Sequence, residues 1–208
     1  MTRQQQAQAT RAAIIATARR LWGERGFFAT STSDIVNAAG VGTRGAFYAH
    51  FADREELFLA VFEDVHRSLA AQLDERIDTT ADALESLQSV LIDFLDLVAV
   101  APDVRALLVD GPAVFGPARW HRAEQARGLQ PIEQRLRAAI EAGLVDEQPI
   151  GPLAQILLML VNDTALMIAA SDDPADARRD AGAALSRLVA GLRAPGRPRR
   201  AAAVRTQH

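Results

Sequence analysis

The chain contains no cysteine, which excludes disulfide scaffolds, zinc–thiolate sites and a cysteine nucleophile. It contains no lysine either. All 23 basic residues are arginine, which, with the abundant alanine, points to a GC-rich genome rather than to a chemistry. Histidines are few and scattered, at His50, His66, His121 and His208, and no H-E-x-x-H spacing occurs. No G-x-S-x-G elbow or phosphate-binding glycine loop is present. The pair Asp172-Asp173 before Pro174 reads as a helix cap. No catalytic residue, metal site or cofactor is therefore expected, and the protein is not expected to be an enzyme. Alternating strand patterns are missing. The most apolar stretch, residues 156–170, is interrupted by Asn162, Asp163 and Thr164 and is shorter than the roughly 18–20 residues of a membrane span. The opening MTRQQQAQATR has no signal-peptide core. These features predict a cytoplasmic protein with no membrane partner.

What is present suits a soluble globular chain. Its 208 residues are 49% hydrophobic and 24% charged, enough to build a sizeable core in one large domain or two small ones. The net charge of −3 is unevenly spread. Residues 1–54 hold seven arginines against Glu24, Asp34 and Asp53, a net of +4. Residues 55–193 hold 12 arginines against 23 acidic residues, a net of −11. Residues 194–208 add four arginines and no acid. A basic first quarter on an acidic body suggests one end that meets a polyanion and a remainder kept away from it.

Apolar residues recur at three and four, so the chain reads as all-α. A first helix is expected over residues 10–25, stopped by Gly26. A second is expected over 32–39, where Ser31 and Asp34 have capping-box spacing. Gly40, Val41 and Gly42 form a turn, and a third helix over 43–50 has Thr43 as its cap. A fourth opens at Asp53, with Glu56 three residues on. Further helices are expected over 81–101 (closed by Pro102), 117–142, 152–171 and 174–192. The stretch DGPAVFGPARW between them reads as turns, because glycine and proline punctuate it. No periodicity follows Pro195, so a disordered basic tail is expected.

Three short helices in about 40 residues, the last two joined by a tight turn, describe a helix-turn-helix. The third helix must then enter the major groove and present polar side chains at its start. Thr43, Arg44 and Gly45 occupy that start. Gly45 lets backbone approach a phosphate, and a helix N-terminus favours an anion. Phe47 and Phe51 are four apart and anchor the helix inward. Tyr48 and His50 then point elsewhere and can hydrogen-bond phosphate oxygens. Arg54 opens the next helix, placed for the DNA backbone beyond the groove.

The run A-G-V followed by TRGAFYAHFADREELF resembles the DNA-binding domain of TetR/AcrR-type transcriptional regulators. It departs once, in Gly42, an extra residue in the turn. The resemblance implies base-edge reading by Thr43, Arg44 and Ala46. It implies phosphate contacts by Gly45, Tyr48, His50 and Arg54, and by Thr32 or Ser33 at the start of helix two. It also implies about nine helices, with a helix-turn-helix domain over 1–54, an effector-binding and dimerisation domain over 55–193, and the tail over 194–208. The implied partners are double-stranded DNA, a second copy of the chain and a small-molecule effector.

The body supports this outline. Residues 152–171 are apolar on nearly every face and must be covered on more than one side. The polar pair Asn162 and Asp163 within that run needs partners: a ligand, a subunit boundary or an interhelical hydrogen bond. Candidate pocket residues are Phe94, Phe115, Trp120, His121, Met159, Asn162 and Asp163, for a lipophilic or aromatic effector. Leu160, Leu185, Leu188 and Leu192 are the candidate dimer contacts. The expected function is a homodimeric repressor released from a palindromic operator by that effector. The alternative is a helical ligand-binding or scaffold protein whose DNA-binding head is degenerate, for which Gly42 is the argument.

Overall fold

The computed structural model describes residues 2–78 and 80–195. Among these the chain forms nine helices: α1 (Arg3–Arg25), α2 (Thr32–Ala38), α3 (Arg44–Tyr48), α4 (Arg54–Glu75), α5 (Ala83–Val100), α6 (Pro102–Phe115), α7 (Pro117–Glu141), α8 (Ile150–Ala169) and α9 (Pro174–Ala190). The only β pairing among the described residues is an isolated antiparallel bridge between Val145 and Arg193. The fold is all-α, with an N-terminal helix-turn-helix followed by helical bundle elements.

The helices begin where the capping residues stand. Ser31 accepts from the Asp34 N–H, while Asp34 accepts from the Ser31 N–H, satisfying two otherwise unpaired donors of α2. Thr2 and Gln5 make the same reciprocal pair at α1, so that helix starts seven residues earlier than its apolar periodicity predicts. Asp53 accepts from the Glu56 N–H at 2.8 Å, but the Glu56 carboxylate reaches back to the Ala52 N–H. Asp82 accepts from the N–H groups of Leu84 and Glu85 and so caps α5.

The clearest departure from the sequence reading is the DGPAVF stretch. It is helical, as the second half of α6, with Pro112 inside the helix. Pro102 does not merely end α5; it is the first residue of α6, where a missing N–H costs nothing. The break comes at Gly116, whose φ of 74° separates α6 from α7. Packing explains why a Gly-Pro pair stays helical. The Trp120 ring lies against Gly111 so closely that a Cβ there would sit 2.4 Å from it.

The chain forms two compact units, Met1–Ala70 with Val100–His121, and Ala71–Ala99 with Arg122–His208. The expected boundary at 54/55 falls at the first residue of α4, and the first unit continues beyond it. Its core joins Ile14, Ala18, Leu21 and Trp22 of α1 to Ile35, Phe47, Phe51, Phe58, Phe62, Leu107 and Trp120. Trp22, Phe27 and Phe58 pack ring to ring with centroids 5.1–5.4 Å apart. Arg19 of α1 pairs with Asp64 of α4 at 3.0 Å and with Asp103 of α6. Burial opposes the charge on Arg19, but the two carboxylates together hold its pKa above the ordinary value.

The second unit is aliphatic. Its core is Leu84, Leu87, Leu91 and Leu95 of α5, Leu136 and Ala139 of α7, Leu157 and Val161 of α8, and Leu185 and Val189 of α9. Phe94 alone of the chain's aromatic residues falls in it. Arg193, past α9, pairs with the capping Asp82 at 2.8 Å. Of the expected tail, Ala194 is tied by its N–H to the Leu144 carbonyl at 2.8 Å. Residues 196–208 lie outside the described residues.

Candidate DNA-binding site

The α2–turn–α3 segment carries the site. The extra Gly42 is absorbed in the turn, where Gly40 and Gly42 take φ of 66° and 86°. A Cβ at Gly42 would meet nothing within 4 Å, so only its backbone conformation matters. Thr43 caps α3 with its hydroxyl accepting from the Ala46 N–H at 3.3 Å. Phe47 and Phe51 are buried, as their spacing predicts, and Arg11 of α1 lies over the Phe51 ring at 5.0 Å. The inner face of α3 is thereby fixed. Its outer face presents Thr43, Arg44, Gly45 and Tyr48, all exposed.

Tyr48 is 59% exposed, with its ring edge against Phe47 at 5.2 Å. An anchored neighbour thus holds it while its hydroxyl end faces solvent. His50, Ala46, Thr32 and Ser33 are half-buried. Gly45 has no neighbour within 3.4 Å of a notional Cβ, the nearest being Thr43 Oγ1 at 3.5 Å. Nothing packed around Gly45 requires glycine there.

Two residues have partners that the sequence did not disclose. Arg44 donates from Nε and Nη2 to Ser33 Oγ at 2.9 and 2.6 Å. Arg54 is not a free cation at the surface. Its Nη2 donates to the Phe27 carbonyl, its guanidinium lies 4.1 Å over the Phe27 ring, and its Nε is buried without a partner. Burial lowers its pKa below the usual arginine value. Beside the phosphate contact expected of it, Arg54 holds the loop that leads into α2. The Asp110 carboxylate, accepting from the Phe27 N–H at 2.8 Å, holds the same loop from α6. No short-range sequence signal marks either contact, since the partners are 27 and 83 positions apart.

The seven candidate pocket residues divide between the units, Phe115, Trp120 and His121 in the first and the rest in the second. Trp120 is buried against Phe58, Phe62 and Gly111 and is a core residue. Phe115 and His121 are half-buried, as is Phe94. Asn162 donates to Glu124 Oε1 at 2.9 Å, an interhelical bond between α8 and α7 that satisfies its amide. Met159 and Asp163 lie on the exposed side of α8, facing away from the unit's interior. A groove of about 430 Å³ in this unit runs between Leu84, Glu85 and Gln88 of α5 and Ser186, Arg187 and Ala190 of α9. Its lining mixes the apolar Leu84 and Ala190 with the charged Glu85, Arg187 and Arg193.

Of the candidate dimer contacts, Leu185 is buried inside its own unit and Leu188 is 58% exposed. Leu160 and Leu192 are half-buried. Helix α8 is 20 residues long and is the one helix among those described that is long and apolar enough to cross a membrane. The apolar stretch read from sequence was shorter because it began at Ile156, whereas the helix begins at Ile150.

The family model for bacterial regulatory proteins of the tetR family matches residues 14–61, which include α2 and α3. That for the tetracyclin repressor-like C-terminal domain matches residues 84–192, about half of the chain. The chain belongs to the TetR family. It is similar to the HTH-type transcriptional regulator AcrR of Shigella flexneri, with 36% identity over 165 residues, 74% of this chain and 75% of that one. The regulator TtgR of Pseudomonas putida is 44% identical over 64 residues, 31% of this chain and 30% of that one. A TetR-family transcriptional regulator from Pectobacterium atrosepticum superposes with a TM-score of 0.77 at 30% identity, over 96% of this chain and all of that one. RolR in complex with resorcinol superposes with a TM-score of 0.72 at 23% identity, over 96% of this chain and all of that one. As a TetR-family protein, the chain is a DNA-binding transcriptional regulator.

Proposed function

We propose that the protein is a homodimeric repressor that sits on a pseudo-palindromic operator and leaves it when a small lipophilic or aromatic effector binds. The observation that carries this reading is the outer face of α3, polar and exposed while Phe47 and Phe51 fix the inner face. On this reading Thr43, Arg44 and Ala46 meet base edges. Gly45, Tyr48, His50 and Arg54, with Thr32 or Ser33 at the α2 start, meet phosphates. Arginine grips guanine O6 and N7 together, for about 1–3 kcal/mol of discrimination. The net +4 of residues 1–54 supplies salt-dependent affinity, and the acidic remainder is repelled by the duplex. Such a protein works beside the chromosome, in the cytoplasm.

Dimerisation is supported by a stripe along α8. Ile156, Met159 and Met167 are 60%, 48% and 56% exposed and share one helical face with Asp163. Leu188 of α9 is a further exposed apolar residue. A twofold pair would set two copies of α3 roughly 34–36 Å apart, one turn of the duplex. Response to a ligand is supported by solved structures of the same fold with ligands, RolR with resorcinol and the Bacillus subtilis FadR with stearoyl-CoA. An effector acts only through its differential affinity for the operator-bound and released states. The test is a gel shift and protection footprint on DNA flanking the protein's own gene. A symmetric protected site is the expected result; equal affinity for that DNA and random duplex rejects the reading.

A further inference from the structure

We infer that Ser33 is a positioning residue for base reading: its hydroxyl holds the Arg44 guanidinium in a set orientation before DNA arrives. This rests on the reading of Arg44 as a base reader. Arginine carries five N–H donors in a planar fork. Here the side edge, Nε and Nη2, is occupied, with both nitrogens donating to Ser33 Oγ at 2.9 and 2.6 Å. The end of the fork remains, with both hydrogens of Nη1 and the outer hydrogen of Nη2. Those are the donors that match guanine O6 and N7.

Ser33 has no competing task in the fold. The cap of α2 is Ser31, whose hydroxyl takes the Asp34 N–H, and Ser33 stands inside the helix. Two accepted hydrogen bonds use the lone pairs of its oxygen, and its own O–H is left to donate outward. The contact also ties α3 to α2 across the turn that Gly42 lengthens. A long flexible side chain that is already ordered loses less entropy on binding. An arginine held in one direction also discriminates between bases better than one free to swing. Ser33 thus affects which sequence is bound, whereas a plain phosphate contact would affect all sequences alike.

The experiment uses the full-length protein and two duplexes of equal length, the footprinted operator and a random sequence. The ratio of their dissociation constants is measured for wild type, R44A, S33A, S33T and the S33A/R44A double variant, with thermal melting as a folding control. Expected: R44A lowers the operator-to-random preference by tenfold or more, roughly. S33A lowers it by roughly two- to tenfold. S33T restores it, and S33A adds nothing in the R44A background. Equal weakening on both duplexes by S33A overturns the inference in favour of a phosphate contact. A ratio unmoved by S33A, or an independent fall in the R44A background, overturns it too. If R44A itself leaves the ratio unchanged, the base-reading role of Arg44 is what has failed. If wild type shows no preference, the repressor reading has failed first.

Discussion

Glycine serves opposite ends at two positions three residues apart, Gly42 before α3 and Gly45 inside it. At Gly42 the backbone needs it, since φ is 86° and an L side chain there is strained whatever the space. At Gly45 the backbone is helical, and glycine is a poor choice for stability. Alanine in helical conformation is better by roughly 0.5–1 kcal/mol. We therefore expect Gly45→Ala to raise the melting temperature slightly and to weaken DNA binding on every sequence, because the new methyl stands where a phosphate approaches. A variant that melts higher and binds equally well would refute the close-approach role. Arg54 presents the converse case. Its bond to the Phe27 carbonyl and its seat on the Phe27 ring are internal, so Arg54→Ala is expected to lose about 1–3 kcal/mol of stability in urea unfolding. Unchanged stability with a weaker, less salt-dependent DNA affinity would leave the phosphate contact as the whole of its role.

At the level of the element, what the sequence disclosed depended on how local the deciding interaction is. Helix starts were legible where cap and partner lie three apart, as at Ser31 and Asp34. The site's inner face was legible from the four-residue spacing of Phe47 and Phe51. Helix α6 was not, because Gly111 and Pro112 are turn residues by every local rule, and the Trp120 ring that packs on Gly111 stands nine positions on. Nor were the Arg44–Ser33 and Arg54–Phe27 contacts, which join separate elements. Gly111→Ala tests the packing reason directly: its Cβ would land 2.4 Å from the Trp120 ring, and the indole must move. We expect a loss of about 1–3 kcal/mol in unfolding free energy; a neutral result would mean that α6 holds its helix without this contact. The cap of α2 can be tested by pH. Asp34 titrates below the ordinary carboxylate value, first because the Ser31 hydroxyl donates to it and next because the Ser31 N–H does. A lowered folded pKa means the contribution is present above the unfolded value of about 3.9 and is lost as pH falls through the lower folded value. The melting-temperature gap between wild type and Asp34→Asn is expected to be constant from neutral pH to about 5 and to close under stronger acid. A gap independent of pH would show that the cap does not act through the carboxylate charge.

At the scale of the whole molecule, the open matter is what covers α8. One side of this helix belongs to the interior of its unit through Ala154, Leu157, Leu158, Val161, Ala165 and Ile168. The opposite side leaves Ile156, Met159 and Met167 largely in water, which explains how a helix of a DNA-binding regulator can be apolar enough to pass for a membrane span. A second copy of the same stripe would cover it, since a twofold interface sets one patch against itself. Two substitutions separate this from packing within one chain. Ile156→Arg puts a charge on the exposed stripe, where a monomer tolerates it and a dimer does not. Leu185→Arg puts one into the buried core, where folding itself should fail. Sedimentation velocity should show wild type as a dimer and Ile156→Arg as a folded monomer with unchanged helical circular dichroism. Operator affinity should fall with it by roughly a hundredfold, as two linked half-site contacts become one. A dimer that survives Ile156→Arg, with full operator affinity, would place the subunit contact elsewhere on the surface.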